Sequence, residues 1–192
     1  SNWGDRETAA VIRDNSRLAL AVNGDFKSSV SGNGSLSLSG VSGIYSSFSD
    51  AENGKLALEI QGSTVNYYPY GTASTHSGGT TLSANVVFIY DSQNLGKGEV
   101  VQNGGTIYLV DAYANLAVDS LRGSGTVTKY YDSPVLNLTG ALSDASHVAS
   151  YKGALGVSVT KSGQYTQEFL LTGNTTLPSA TVNGGTLRFV SD

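Results

Sequence analysis

Apolar and small polar residues alternate over four to six positions at a time along this 192-residue chain, and turns rich in Gly, Asn and Ser separate the stretches. A period of two is the signature of a strand with one buried face. Leu18 and Leu20 open the series within Ser-Arg-Leu-Ala-Leu-Ala-Val. Leu36 and Leu38 follow, then Leu56 and Leu58, at near-constant offsets. Further strands are expected at 86–90, 106–110, 116–118, 126–130, 135–138, 155–159, 169–171 and 186–190. Helical periodicity is nearly absent; residues 6–12 alone are compatible with one helical turn, placed to cap one end.

One phrase occurs twice. Val-Gln-Asn-Gly-Gly-Thr-Ile-Tyr-Leu-Val fills 101–110, and Thr-Val-Asn-Gly-Gly-Thr-Leu-Arg-Phe-Val fills 181–190. Repetition at about 20 residues means a unit of two or three short strands that cannot bury its apolar face alone and must stack on its neighbour. The expected fold is all-β, a parallel β-helix (β-solenoid) with coils of roughly 20 residues, forming one domain over 1–192. Roughly nine or ten turns at about 4.8 Å would give a rod on the order of 45 Å long. The rival is an antiparallel sandwich, which shares the many short strands but not the near-constant offsets.

Composition narrows the functions. Charged residues are 14% of the chain, the net charge is −4, and no Lys/Arg cluster exists. Phosphate neutralisation is therefore missing, and no nucleic-acid partner is expected. No run of about 18 apolar residues occurs, so no transmembrane helix is expected. Cysteine is absent, which removes disulfides and thiolate chemistry. Methionine is also absent, so the chain reads as an excised part of a larger exported protein.

The segment 75–127 contains Thr-His-Ser-Gly-Gly-Thr-Thr-Leu, then Gln-Asn-Gly-Gly-Thr-Ile, then Arg-Gly-Ser-Gly-Thr-Val. A second copy runs over 159–189, and 26–40 holds a looser third. These phrases resemble the autotransporter-associated β-strand repeat family. The resemblance implies a right-handed parallel β-helix in the passenger of an exported bacterial protein. Its setting would be the cell surface, associated with the outer membrane or secreted. Such passengers serve as stalks or adhesins, and a minority carry enzymes. The rod would continue end to end with the rest of the parent protein. The aromatic insertion Tyr67-Tyr68-Pro69-Tyr70 departs from the family spacing.

Three aspartates follow strand ends at nearly equal offsets, each close to one turn: Asp91, Asp111 and Asp132. Stacked on successive turns, their carboxyls would sit about 5 Å apart, a like-charge contact that needs compensation. A shared proton would raise one pKa and support acid–base hydrolysis, and the spacing suits a retaining glycosidase. Oxygen ligands would suit Ca²⁺. The plainer reading is three turn aspartates leaving strands.

Tyr67, Tyr68 and Tyr70 are expected on a loop, where flat apolar faces with hydroxyls can stack on sugars or pack on a protein. Tyr90, Tyr108 and Tyr130 are expected to form a ladder. His76 and His147 lie in no metal-ligand spacing and are expected at the surface. No metal site and no cofactor follow from any motif. The favoured function is a stalk or adhesin-like scaffold meeting a host or environmental glycan or protein surface. One alternative is a hydrolase of mucin- or polysaccharide-like substrates using the three aspartates; the other is a carbohydrate-binding module.

Overall fold

The structure, a computed structural model, describes residues 9–68, 73–90, 95–110, 115–131, 133–173, 175 and 179–191. Its strands are β1 Ala9–Phe26, β2 Ser29–Ile44, β3 Phe48–Asp50, β4 Leu56–Tyr67, β5 Thr80–Ile89, β6 Val100–Leu109 and β7 Leu116–Val118. They continue as β8 Leu121–Lys129, β9 Val135–Leu138, β10 Val148–Gly156, β11 Ser158–Lys161, β12 Thr166–Leu171, β13 Ala180–Val182 and β14 Thr186–Ser191. There is no helix among the described residues. The helical turn expected over residues 6–12 is corrected where it can be seen: Ala9 to Ile12 open β1, and residues 6–8 lie outside the described set.

Every strand pairing is parallel, which removes the sandwich. The long sheet runs β1-β2-β4-β5-β6-β8-β10-β12-β14, with β3 beside β2. The second sheet runs β13-β11-β9-β7. The chain is a β-solenoid of about eight turns, fewer than the nine or ten expected. Ser16 pairs with Gly34, Leu58 with Thr80 and Thr80 with Val100, steps close to the expected turn length. Gly123, however, pairs with Tyr151, a markedly longer step.

The early leucines stack as the alternation requires, with a slip. Leu18 pairs with Leu36, and Leu36 pairs with Leu58 rather than Leu56. Leu56 and Leu58 occupy alternate positions, so the slip keeps the same face inward. Leu36, Leu38, Leu56, Leu58 and Ile60 are buried, and each contributes about 1.5–3 kcal/mol through removal of its side chain from water. The segment 155–159, expected as one strand, turns a corner at Val157 between β10 and β11.

The two copies of the repeated phrase do not share a column. Asn103-Gly104-Gly105 makes a bulge inside β6. Asn183-Gly184-Gly185 is the corner between β13 and β14. What they share is the second glycine, with φ of +75° at Gly105 and +64° at Gly185. A Cβ there would collide with the carbonyl oxygen of Ala84 or Tyr165 on the rung below.

Candidate functional site

Asp91, Asp111 and Asp132, together with Tyr70, lie outside the described residues. The residues leading into the aspartates are ordered as a column. Tyr90 N donates to Tyr67 O, Val110 N to Ile89 O and Tyr130 N to Leu109 O, at 3.3, 2.9 and 2.9 Å. Asp91 and Asp111 each follow that column by one position, and Asp132 follows it by two.

Tyr67 is not on a loop. It ends β4 with its ring in the core, 1% exposed. Burial pushes its phenol pKa up, against the opposing contact with Ser74. No external ligand reaches it. Tyr68 stands on the outer side of the same corner and stacks between Tyr45 at 4.9 Å and Tyr90 at 4.2 Å.

The expected ladder of Tyr90, Tyr108 and Tyr130 is two clusters. Val110 occupies the rung between Tyr90 and Tyr130 and interrupts the column. The second cluster starts with Phe88 and Tyr108, which are cross-strand partners stacked at 5.2 Å. Tyr130 is perpendicular to both, 5.8 Å from Phe88 and 5.7 Å from Tyr108. It lies across the pair instead of extending it. Tyr131 is perpendicular to Tyr130 at 4.6 Å. Tyr130 and Tyr131 are 51% and 60% exposed, so two rings at right angles project from the rod.

Both histidines carry structure that their isolation in sequence conceals. His76, expected at the surface, is 0% exposed. Its Nε2 lies 2.7 Å from Thr80 Oγ1, and the Thr80 hydroxyl donates to Leu95 O at 2.8 Å. The single hydroxyl proton is thus committed, so Nε2 carries the imidazole proton and Nδ1 is bare. Nδ1 has no hydrogen-bond partner among the described residues. Desolvation pulls the His76 pKa down to about 4, against the opposing pull of the Asp50 charge. Asp50 itself is shifted up by burial but held below the usual carboxylate range by hydrogen bonds from Ser77 and Leu56.

His147 belongs to a polar cluster in the long turn. Its Nε2 is 3.1 Å from Glu99 Oε2 and 3.3 Å from Ser120 Oγ. Ser120 donates to the same Glu99 oxygen at 2.9 Å, and Arg122 meets Glu99 Oε1 at 2.7 Å. Leu142, Ser143, Asp144 and Ser146 complete a groove of about 460 Å³ over Glu99 and His147. A serine nucleophile needs its base on one side of the imidazole and the orienting acid on the other nitrogen. Here serine and carboxylate share Nε2, the serine proton goes to the acid, and Ser120 is 0% exposed. The cluster ties the long turn to its neighbours and activates no nucleophile.

Asp119 and Lys161 are equally structural. Asp119 accepts from Leu142 N at 2.6 Å and from the Ser143 hydroxyl. Lys161 is buried, with Nζ 3.8 Å from the Tyr165 ring centroid and donating to the carbonyls of Ser162, Gly163 and Gly184. Burial lowers its pKa and the Asp119 charge works against that shift. No group of three or more His, Asp or Glu able to hold a metal occurs among the described residues.

The Glu99 cluster escapes a reading of the sequence because one ordinary turn links Glu99 to Ser120, whereas the long turn separates Ser120 from His147. Only knowledge of the long turn would align them. The chain matches no family model, no curated protein and no solved structure.

Proposed function

We propose that this chain is a segment of a bacterial cell-surface or secreted passenger that serves as a structural stalk and adhesin-like binding scaffold. One observation carries the reading: co-directional rungs stack in register from β1 to β14 over a continuous apolar core. Such a rod gains length by adding turns and holds its outer face rigid, as a display element requires. The Gly-Gly-Thr-Thr, Asn-Gly-Gly-Thr and Gly-Ser-Gly-Thr phrases add support through their resemblance to the autotransporter-associated repeat. Three of the described acids are committed to structure: Glu99 is occupied by Arg122, Ser120 and His147, and Asp50 and Asp119 bind turn amides.

The test is location. An antibody raised against the purified chain should label intact cells of the source bacterium without permeabilisation, or find the antigen in the medium. Antigen confined to lysed cells would overturn the reading. Release of reducing sugar from mucin or plant polysaccharide by the purified chain would replace it with the hydrolase.

A further inference from the structure

A second groove, of about 440 Å³, lies on the outer face over the ends of β8 and β10. Its described lining is Thr126, Thr128 and Lys129 from β8, Ala154, Leu155 and Gly156 at the end of β10, and Thr175. Thr128 and Tyr130 hold alternate positions on one outer face, and Thr128 pairs directly with Tyr108. Tyr130 thus follows the groove residue Thr128 by two positions, just past the end of β8, with its ring against Phe88 and Tyr108 and in a right-angled corner with Tyr131. Gly156 makes the floor: a Cβ there would collide with Thr128 Oγ1.

We propose that this corner and groove bind a linear polysaccharide, with a sugar ring against Tyr130 or Tyr131 and sugar hydroxyls on Thr126, Thr128 and Thr175. The inference deepens the scaffold reading and rests on it, giving the adhesin-like face a site and a ligand class.

Three features select a glycan. Sugars present an apolar C–H face beside a rim of hydroxyls, and the site offers exposed tyrosine rings beside threonine hydroxyls. An extended peptide adding as a strand needs a free sheet edge. β8 has none, being paired with β6 on one side and β10 on the other. A stable protein partner covers about 800 Å² per side around a broad apolar centre. Here the aromatic surface is Tyr130 and Tyr131 with Phe88 and Tyr108 behind Tyr130, and the adjoining groove is lined mostly by Thr, Gly and Lys. The described lining holds no carboxylate and no histidine, and its polar groups are hydroxyls and one ammonium, a set suited to binding sugar hydroxyls.

Native gels cast with hydroxyethyl cellulose, xylan, mannan or hyaluronan test the proposal on the full chain. At least one polymer should retard the protein, and Tyr130→Ala and Tyr131→Ala should each weaken retardation at least tenfold with an unchanged melting temperature. Gly156→Ala should weaken it by filling the floor. Tyr45→Ala, on the other aromatic cluster, should bind normally. Lys129→Gln sorts the sources: loss with hyaluronan alone marks an anionic glycan, and an unchanged result marks a neutral one. Retardation by none of the four, or equal retardation of the Tyr130→Ala/Tyr131→Ala double variant, overturns the proposal. So does adhesion to a deglycosylated protein coat that Tyr130→Ala abolishes, which would assign the corner to a protein partner. Surface labelling without retardation sinks this inference alone; retardation by a chain confined to lysed cells sinks the scaffold reading alone.

Discussion

The rungs before β6 and those from β6 onward solve the same packing problem with different interiors. In the early rungs the inward columns are mostly aliphatic: Leu36 over Leu58 with Thr80 next, and Leu38 over Ile60 over Leu82. In the later rungs the same columns hold Gln102, Tyr151 and Gln167, all buried. At Gln102 the difference follows the β6 bulge, and at Gln167 it follows the length of the turns. Even turns bring complete strands into register, so the backbone satisfies itself and the strand columns can be mostly apolar. The long step between Gly123 and Tyr151 leaves Leu121 without a partner on β10. Gln167 reaches past the small Ala149 and takes that place, accepting from Leu121 N at 3.1 Å and donating to Leu121 O at 2.8 Å. Buried peptide groups need partners, and a side-chain amide has the same donor and acceptor as the missing strand.

The most direct way to break this comparison is to damage the regular half. Leu58→Ala opens a cavity between buried Leu36 and Thr80, whose hydroxyl is already held by His76 and Leu95. Urea denaturation should show a loss of about 2–5 kcal/mol. A loss under about 1 kcal/mol would mean that the early core is loosely packed and that the two interiors do not differ in kind.

His76 is a buried titratable group in the regular half, and it makes that half sensitive to acid. Its folded pKa, about 4, lies below the ordinary histidine value of 6.5. Between those values the unfolded chain binds more protons, so stability falls as pH drops from 6.5 towards 4. Full protonation costs about 3 kcal/mol, since each tenfold loss of proton affinity is worth about 1.4 kcal/mol. Asp50 adds its own loss only below its ordinary carboxylate range, because its folded pKa is depressed. In His76→Gln, whose amide can still donate to Thr80, the decline between pH 6.5 and 4 should shrink markedly. An unchanged slope would place the acid sensitivity elsewhere.

The alternation of apolar residues is enough to read strands, their parallel stacking and the approximate turn length. It is blind to the polar interior, because Gln102 and Gln167 alternate within their strands as outward residues do. His76 reads as a surface residue for the same reason: a lone imidazole carries no periodic signal. The repeated Asn-Gly-Gly-Thr phrase marks tight backbone approach correctly at Gly105 and Gly185, yet it suggests a common column that the long turn destroys. The ladder of Tyr90, Tyr108 and Tyr130 fails because Tyr108 lies two positions along the strand from the column of Tyr90 and Tyr130. Equal spacing in sequence is equal position in space only where every turn has the same length.

Tyr151→Phe sharpens the comparison with a smaller effect. The Tyr151 hydroxyl passes over Gly123, which has no side chain, and donates to Gln102 Oε1 at 2.8 Å. Gln102 Nε2 in turn donates to Gly104 O and Gly105 O at 3.1 and 2.9 Å, the carbonyls that the β6 bulge turns inward. Loss of the hydroxyl leaves one buried acceptor unmet while the bulge keeps both of its bonds. The expected cost is about 1–2 kcal/mol in urea denaturation. Gln102→Leu should cost more, because it strands the two bulge carbonyls. The double variant should then cost less than the sum of the singles, since with Gln102 gone the tyrosine hydroxyl has nothing left to lose. Strict additivity would mean that the two side chains act independently, and that the later interior is polar without being a network.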